Sequence, residues 1–332
     1  MVHQNWFIFR PHQGKERAYV EALQGAGYYA VPSQLDAAHR PKRFRFVLFD
    51  LSNGRGHTGW HPILEAAHAS GTPVVMYPHA ARPMVQWDGI LAPSPMTRCS
   101  FTHAPGGVEV LRRFGYPYPV EAAGWSLCPV RPFEPVERVR HIVYGPIHPN
   151  TNGWLHDDEL SINRRAFERL RAYCRETGAR LTVRYLRGLA QNGLEKVDPG
   201  GKNAGVEGVS YVQGRADQST AEIDQADLVV GHQTFAYLAA ARGKPTLMMA
   251  EDIPPRSGNR LEMYRYVASW EKYADYLAYP LDILATDGSV AATAALIERA
   301  CAGDPAAAEW RERFIGQPFD GPAFVRTLES YL

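Results

Sequence analysis

Three histidines and a threonine stand where short apolar runs give way to turns, the positions from which a parallel sheet presents side chains to a ligand. The first is His79 in Pro73-Val-Val-Met-Tyr-Pro78-His79-Ala-Ala-Arg82-Pro83. An imidazole titrating near neutral pH can take the proton of an attacking hydroxyl, as group transfer to an alcohol requires. His79 is therefore the candidate base, and Arg82 lies in the same loop. The second is His148 in Gly145-Pro-Ile-His148-Pro-Asn150-Thr-Asn152-Gly153. Such a turn offers backbone N–H groups and one imidazole to a diphosphate, although Asn and Gly favour ordinary turns as well. The third is His232 in Gly231-His232-Gln233-Thr234, which leads into an Ala-rich segment ending at Arg242. A strand, a short loop and a helix N-terminus hold anions by free N–H groups and the helix dipole.

Weaker candidates surround these. Arg184 and Arg187 follow the strand-like Leu181 to Val183, where one guanidinium could fork onto phosphate. Glu251 and Asp252 follow Thr246 to Ala250 and suit the hydroxyls of a ribose or sugar, and Arg256 to Arg260 supplies a polar loop beyond them. On the other half of the chain, His12 follows the first strand in Arg10-Pro-His12-Gln-Gly-Lys15, and Asn53 with Arg55 occupies the next such loop. These are expected on the acceptor side.

The elements that must carry these loops alternate. Apolar runs at Trp6 to Phe9, Phe44 to Phe49, Pro73 to Tyr77 and Gly89 to Ala92 are separated by helical patterns at about Lys15 to Gln24 and Pro62 to His68. That order predicts a doubly wound parallel sheet. It stops near Gly124-Trp125, where Ser126 to Pro135 carries three prolines, and restarts with His141 to Tyr144, a helix from about Asp158 to Thr177, Arg180 to Tyr185, Val209 to Val212 and Asp227 to Ala250. The tail reads as helices at about 260 to 276, 289 to 301, 306 to 314 and 322 to 332. The expected division is 1–127 for an acceptor unit, 128–136 for a proline-rich linker, 137–302 for a donor unit and 303–332 for helices that pack back on the first unit. Two such α/β units place their loops across a cleft.

Composition narrows the chemistry. With 332 residues, 36 Lys+Arg against 35 Asp+Glu and 45% hydrophobic content, the chain is a folded globular protein without a strong overall charge. No apolar run approaches a membrane span and Met1-Val-His-Gln-Asn is no signal peptide, so a cytoplasmic location is expected. Cys99, Cys128, Cys174 and Cys301 lack C-x-x-C spacing, and no histidine pair has metal-ligand spacing, so no metal is expected. Gly54 and Gly56 lack the third glycine of a dinucleotide fingerprint, which argues against nicotinamide or flavin cofactors.

Taken together, Gly124-Trp125, Tyr144-Gly-Pro-Ile-His148-Pro and Ala226-Asp227 through Gly243-Lys244-Pro245 give the chain a resemblance to glycosyltransferases of GT-B architecture over roughly residues 5 to 300. It is most similar to the branch of CDP-glycerol glycerophosphotransferases and other polymer-forming transferases. The resemblance implies two Rossmann-like domains, a UDP- or CDP-linked donor as substrate, His79 as base, His232 with Thr234 on the donor phosphate and His148 in the companion loop. Two departures stand out: His79-Ala80 replaces the usual His-Gly pair, and Gly231-His-Gln-Thr234 replaces an Asp-Tyr-Ser-Ser-like loop. The acceptor is a hydroxyl on a saccharide, a polyol polymer or a modified base in DNA, the last because Lys42-Arg43-Phe44-Arg45 and Arg112-Arg113 place basic residues beside aromatics. Alternatives are a non-hydrolysing nucleotide-sugar 2-epimerase, using carboxylates such as Asp50 and Asp88, and a nucleotide-sugar-binding protein without activity.

Overall fold

The computed structural model describes residues 3–11, 14–33, 44–50, 55–56, 59–60, 62–78, 95–113, 115–146, 157–185, 209–213, 219–232, 234–249 and 279–332. The chain divides into two compact units, one of residues 1–127, 255–276 and 312–332, the other of 128–254 and 277–311.

The first unit opens with strand β1 (His3–Phe9), helix α1 (Arg17–Gly25), β2 (Tyr29–Pro32) and β3 (Phe44–Asp50). A two-rung hairpin, β4 (Arg55–Gly56) and β5 (Gly59–Trp60), precedes α2 (Pro62–Ser70), β6 (Val74–Tyr77), β7 (Thr97–Thr102), α3 (Pro105–Arg113) and β8 (Val120–Ala122). Six strands pair in parallel in the order β2-β1-β3-β6-β7-β8. Every residue of β6 is buried, as a parallel strand covered on both faces requires, which is why it reads as an unbroken apolar run.

The second unit contains β9 (His141–Gly145), α4 (Asp157–Thr177), β10 (Arg180–Tyr185), β11 (Val209–Gln213), α5 (Ser219–Asp224), β12 (Leu228–Gly231), α6 (Thr234–Ala241), β13 (Thr246–Met248) and α7 (Val290–Ala302). Its five strands are also parallel, in the order β11-β10-β9-β12-β13. Asp227 fixes the entry to this sheet, its carboxylate accepting the N–H groups of Arg140 at 2.8 Å and His141 at 2.9 Å. Val143, Val229, Ile223 and Ala239 form the core beneath α5 and α6. Residues 128–136 form neither helix nor strand and bond to this unit through Arg131 N–H to Ala241, Glu134 N–H to Gly243 and Val136 N–H to Cys301.

Two last helices, α8 (Pro305–Phe314) and α9 (Gly321–Glu329), follow. α9 returns to the first unit, where Phe324 contacts Tyr19 of α1 and Phe101 of β7 at ring distances of 5.2 and 4.7 Å. The doubly wound α/β class expected from the sequence is the class observed in both units.

Seven elements have no counterpart in the sequence reading: β2, β4, β5, β7, α3, β8 and α5. The expected strand at 89–92 and helix at 260–276 lie outside the described residues.

Candidate functional site

Topology selects the site in each unit. In an open parallel sheet a crevice forms at the carboxyl edge where successive connections turn to opposite sides. In the second unit the chain leaves β9 toward β10 and β11 and then returns to place β12 on the other side, so the crevice falls between β9 and β12. Those strands end in register partners Gly145 and Gly231. Neither carries a side chain, and the ring of Phe235 occupies the place where one would go: a Cβ would lie 2.5 Å from that ring at Gly145 and 2.9 Å at Gly231.

His232 follows directly as a half-buried bend residue, and Thr234 is the first residue of α6. The first turn of this helix leaves N–H groups without intrahelical acceptors, adjacent to an imidazole and a hydroxyl. This arrangement can take an anion.

Arg184 behaves differently from the sequence expectation of a phosphate-facing fork. It is 5% exposed, its Nε donates to the Glu222 carboxylate, and its Nη2 donates to Ser219 Oγ at 2.7 Å. Its guanidinium lies 4.8 Å from the centroid of the Phe235 ring. A buried cation needs such a partner, and Glu222 already balances it.

In the first unit the connections diverge between β1 and β3, and there the structure assembles charges that the sequence reading had not paired. Arg10, just past β1, meets Asp50, the last residue of β3, at 3.0 Å. The Asp50 side chain is fully buried, while Arg10 keeps a quarter of its surface exposed and lies over the ring of Phe49. The Tyr77 hydroxyl, at the end of β6, donates to the Arg10 carbonyl at 3.4 Å. Burial pushes the Lys15 ammonium below its ordinary pKa, with Asp50 and Glu16 opposing that shift. Burial raises Tyr77 far above the ordinary phenol value, with the Asp50 and Glu16 charges adding to the effect. The sequence carried a signal for this pair, since each charged residue ends an apolar strand-like run.

His103 is an imidazole that sequence reading passed over. It follows β7, is 4% exposed and lies with its ring tilted against Trp125 at 4.8 Å, lining a cavity of about 350 Å³ with Gln317 and Thr327. A larger cavity of about 670 Å³, lined by Glu137, Tyr173 and Cys301, sits beside the chain entering β9 and hence at the opposite edge of that sheet from Gly145.

Of the other candidates, His12, Asn53, His79, Arg82, His148, Asn150, Gln233 and Glu251 lie outside the described residues. Arg55 is placed only as backbone in β4. Arg45, expected in a basic patch, lies over the ring of Tyr28 and donates to its hydroxyl at 2.8 Å, while Arg112 and Arg113 are exposed in the last turn of α3. Among the described residues no three His, Cys, Asp or Glu gather as a metal-binding group, and no helix is long and apolar enough to cross a membrane.

No protein-family model matches the chain, and no curated protein does. Solved structures do. MurG of Acinetobacter baumannii aligns over 98% of this chain and 99% of its own, with a TM-score of 0.55 and 13% identity. A UDP-GlcNAc 2-epimerase from Methanocaldococcus jannaschii aligns over 98% and 99%, with a TM-score of 0.59 and 9% identity. MnaA of S. aureus, solved with UDP, aligns over 98% and 96%, with a TM-score of 0.54 and 12% identity. At these identities the likeness is one of fold: two parallel α/β units of the GT-B kind.

Proposed function

We propose that the chain is a nucleotide-sugar enzyme of the glycosyl-transfer class, moving a sugar from a UDP- or CDP-linked donor to a hydroxyl acceptor. The observation that carries this reading is the placement of Gly231, His232 and the N-terminus of α6 at the crevice of the second sheet. The donor diphosphate is assigned to the first-turn N–H groups of α6, with His232 and Thr234 as side-chain donors and His148 and Asn150 as further donor-binding residues. N–H dipoles and imidazoles meet the developing charge on the leaving diphosphate, so no metal is invoked. His79, two residues beyond β6, removes the acceptor proton as the hydroxyl attacks the anomeric carbon and the nucleotide diphosphate departs.

The acceptor is a saccharide or polyol hydroxyl, as the CDP-glycerol transferase branch would have it. A modified DNA base has less behind it, since Arg45 of the expected basic patch is packed on Tyr28.

A thermal-shift series over nucleotide diphosphates and their sugars tests the donor assignment, because a ligand of the native state raises its melting temperature. His232→Ala and Thr234→Val should each reduce the UDP or CDP shift. His79→Ala should keep the shift and lose transfer. Transfer that survives His79→Ala, or a shift that survives both donor-loop changes, contradicts the division of roles.

A second reading has its own support. The buried Asp50 beside Arg10 supplies a carboxylate at the crevice of the first sheet, and an epimerase needs carboxylates as acid and base. Conversion of UDP-N-acetylglucosamine with no acceptor present would decide for it, and abolition of that conversion by Asp50→Asn would place the carboxylate in it.

A further inference from the structure

The rung on which β9 and β12 end carries Gly145 and Gly231 beside Arg184, the next-to-last residue of β10, because Val183, Tyr144 and Val230 are aligned one residue earlier. Side chains on one rung of a parallel sheet point to the same face. Here that face is covered by α5 and α6. Phe235, the second residue of α6, lays its ring across both glycines, and Arg184 reaches that ring from the neighbouring strand. Ser219 and Glu222 of α5 then hold the guanidinium. The ring is clamped between bare backbone and a cation that is itself fixed.

Folding alone does not call for this. A leucine over the glycines and an apolar residue at 184 would fill the space without the desolvation of a buried ion pair, which as a rule adds little net stability. What such a pair does supply is one defined geometry, and the segment it defines is the start of α6, immediately after His232. We propose that Arg184 is a positioning residue: through Phe235 it fixes Gly231 and the N-terminus of α6 in the arrangement that takes a nucleotide diphosphate, and Glu222 retains it in that role instead of letting it move onto the anion. This rests on the donor reading above.

Calorimetric titration of UDP and CDP into the full chain tests it, at a temperature where circular dichroism shows each variant folded. Phe235→Leu and Arg184→Met should each weaken the nucleotide about tenfold, and the double variant should be no weaker than about tenfold, because both changes release the same clamp. Glu222→Gln should weaken it in the same direction and carries the test if Arg184→Met does not fold. Arg180→Met, at the other end of β10, should bind as the parent does. If transfer is measurable, the donor KM should rise by a similar factor with kcat at saturating donor within about twofold.

Unchanged binding by Phe235→Leu and Arg184→Met, in a parent that binds, overturns the clamp and leaves the donor reading standing. Additive losses, about a hundredfold in the double variant, overturn it too, since the two residues would then act separately. A parent that binds neither UDP nor CDP removes the donor reading and this inference with it.

Discussion

Gly243 and Pro132 meet backbone to backbone: a Cβ added to Gly243 would stand 1.9 Å from the Pro132 carbonyl oxygen, and Gly243 holds φ at +75°. The contact joins the turn after α6 to the proline-rich segment entering the second unit, where Glu134 N–H also donates to the Gly243 carbonyl at 2.9 Å. Both the backbone conformation and the space demand glycine.

Gly243→Ala should therefore cost about 2–4 kcal/mol, combining left-handed strain with overpacking against a main chain that cannot yield. Gly178→Ala is the control, with a similar φ of +72° and nothing within 4 Å of the added carbon. It should cost about 1 kcal/mol. Urea unfolding of both variants separates the steric part from the strain, and equal losses would show that the Pro132 contact is compliant.

The run from Asp227 to Ala250 was legible because each part obeys a local rule: a buried four-residue strand, an Ala-rich helix and a glycine turn. Strand β7 was not, because Thr97-Arg-Cys-Ser-Phe-Thr102 buries the hydroxyls of Thr97, Ser100 and Thr102 among Cys99 and Phe101 instead of forming an unbroken apolar run. Ser100 shares a hydrogen bond of 2.6 Å with Tyr116, and Thr102 donates to the Ala104 carbonyl at 3.0 Å. Helix α3 begins Pro-Gly-Gly, which reads as a breaker, yet α3 packs so closely on its neighbours that Gly106 has Phe314 2.6 Å from its missing Cβ. The same limit applied to the site. Sequence located Arg184 at a strand end, whereas its partner Glu222 lies 38 residues away on a helix too short to read. Asp50 was legible as a carboxylate, but not as the partner of Arg10, because only the order β1-β3-β6 brings their strand ends together.

That pair gives a second prediction. Arg10→Met removes the guanidinium that meets the buried Asp50 carboxylate at 3.0 Å and should cost about 3 kcal/mol, since breaking a buried ion pair from one side is expensive. Adding Asp50→Asn should restore at least about half of the loss, because the charge is then gone. Guanidinium unfolding of the two single variants and the double one closes the cycle. Simple additivity would mean that the two side chains stabilise the unit independently.

His141 links three strands at the entry edge of the second sheet. Its Nδ1 donates to the Gln225 carbonyl at 3.0 Å, so Nε2 accepts from the Thr182 hydroxyl at 2.8 Å, and Thr182 lies 3.1 Å from Ser210. Burial lowers its pKa below the ordinary 6.5, with the Gln225 bond partly opposing. The unfolded chain therefore binds the proton more readily than the folded one, and stability present above pH 6.5 is lost as pH falls through the depressed value. His141→Asn should flatten that dependence between pH 7 and 5, by at most about 1.4 kcal/mol per pH unit, the limit for one proton. Urea midpoints across this range provide the measurement, and identical slopes in parent and variant would show that other groups dominate.

The first unit is closed by the last helix of the chain, and Phe324 is the residue that closes it. Its ring is 2% exposed and touches Tyr19, Phe101 and Phe319, which brings together α1, β7 and the segment before α9. Asp320 starts the helix by accepting the Ala323 N–H at 2.8 Å, and Tyr28 donates to Glu329 at 3.1 Å near its end. Phe324→Ala should cost about 3–5 kcal/mol, the range for removing a buried aromatic ring. Asp320→Ala should cost about 1 kcal/mol, the loss of one cap. Hydrogen exchange resolves where the loss falls: amides of α1 should exchange faster in Phe324→Ala while those of β12 keep their protection, because Val229 and its neighbours belong to a separate core. Equal acceleration in α1 and β12 would mean that the two cores open as one.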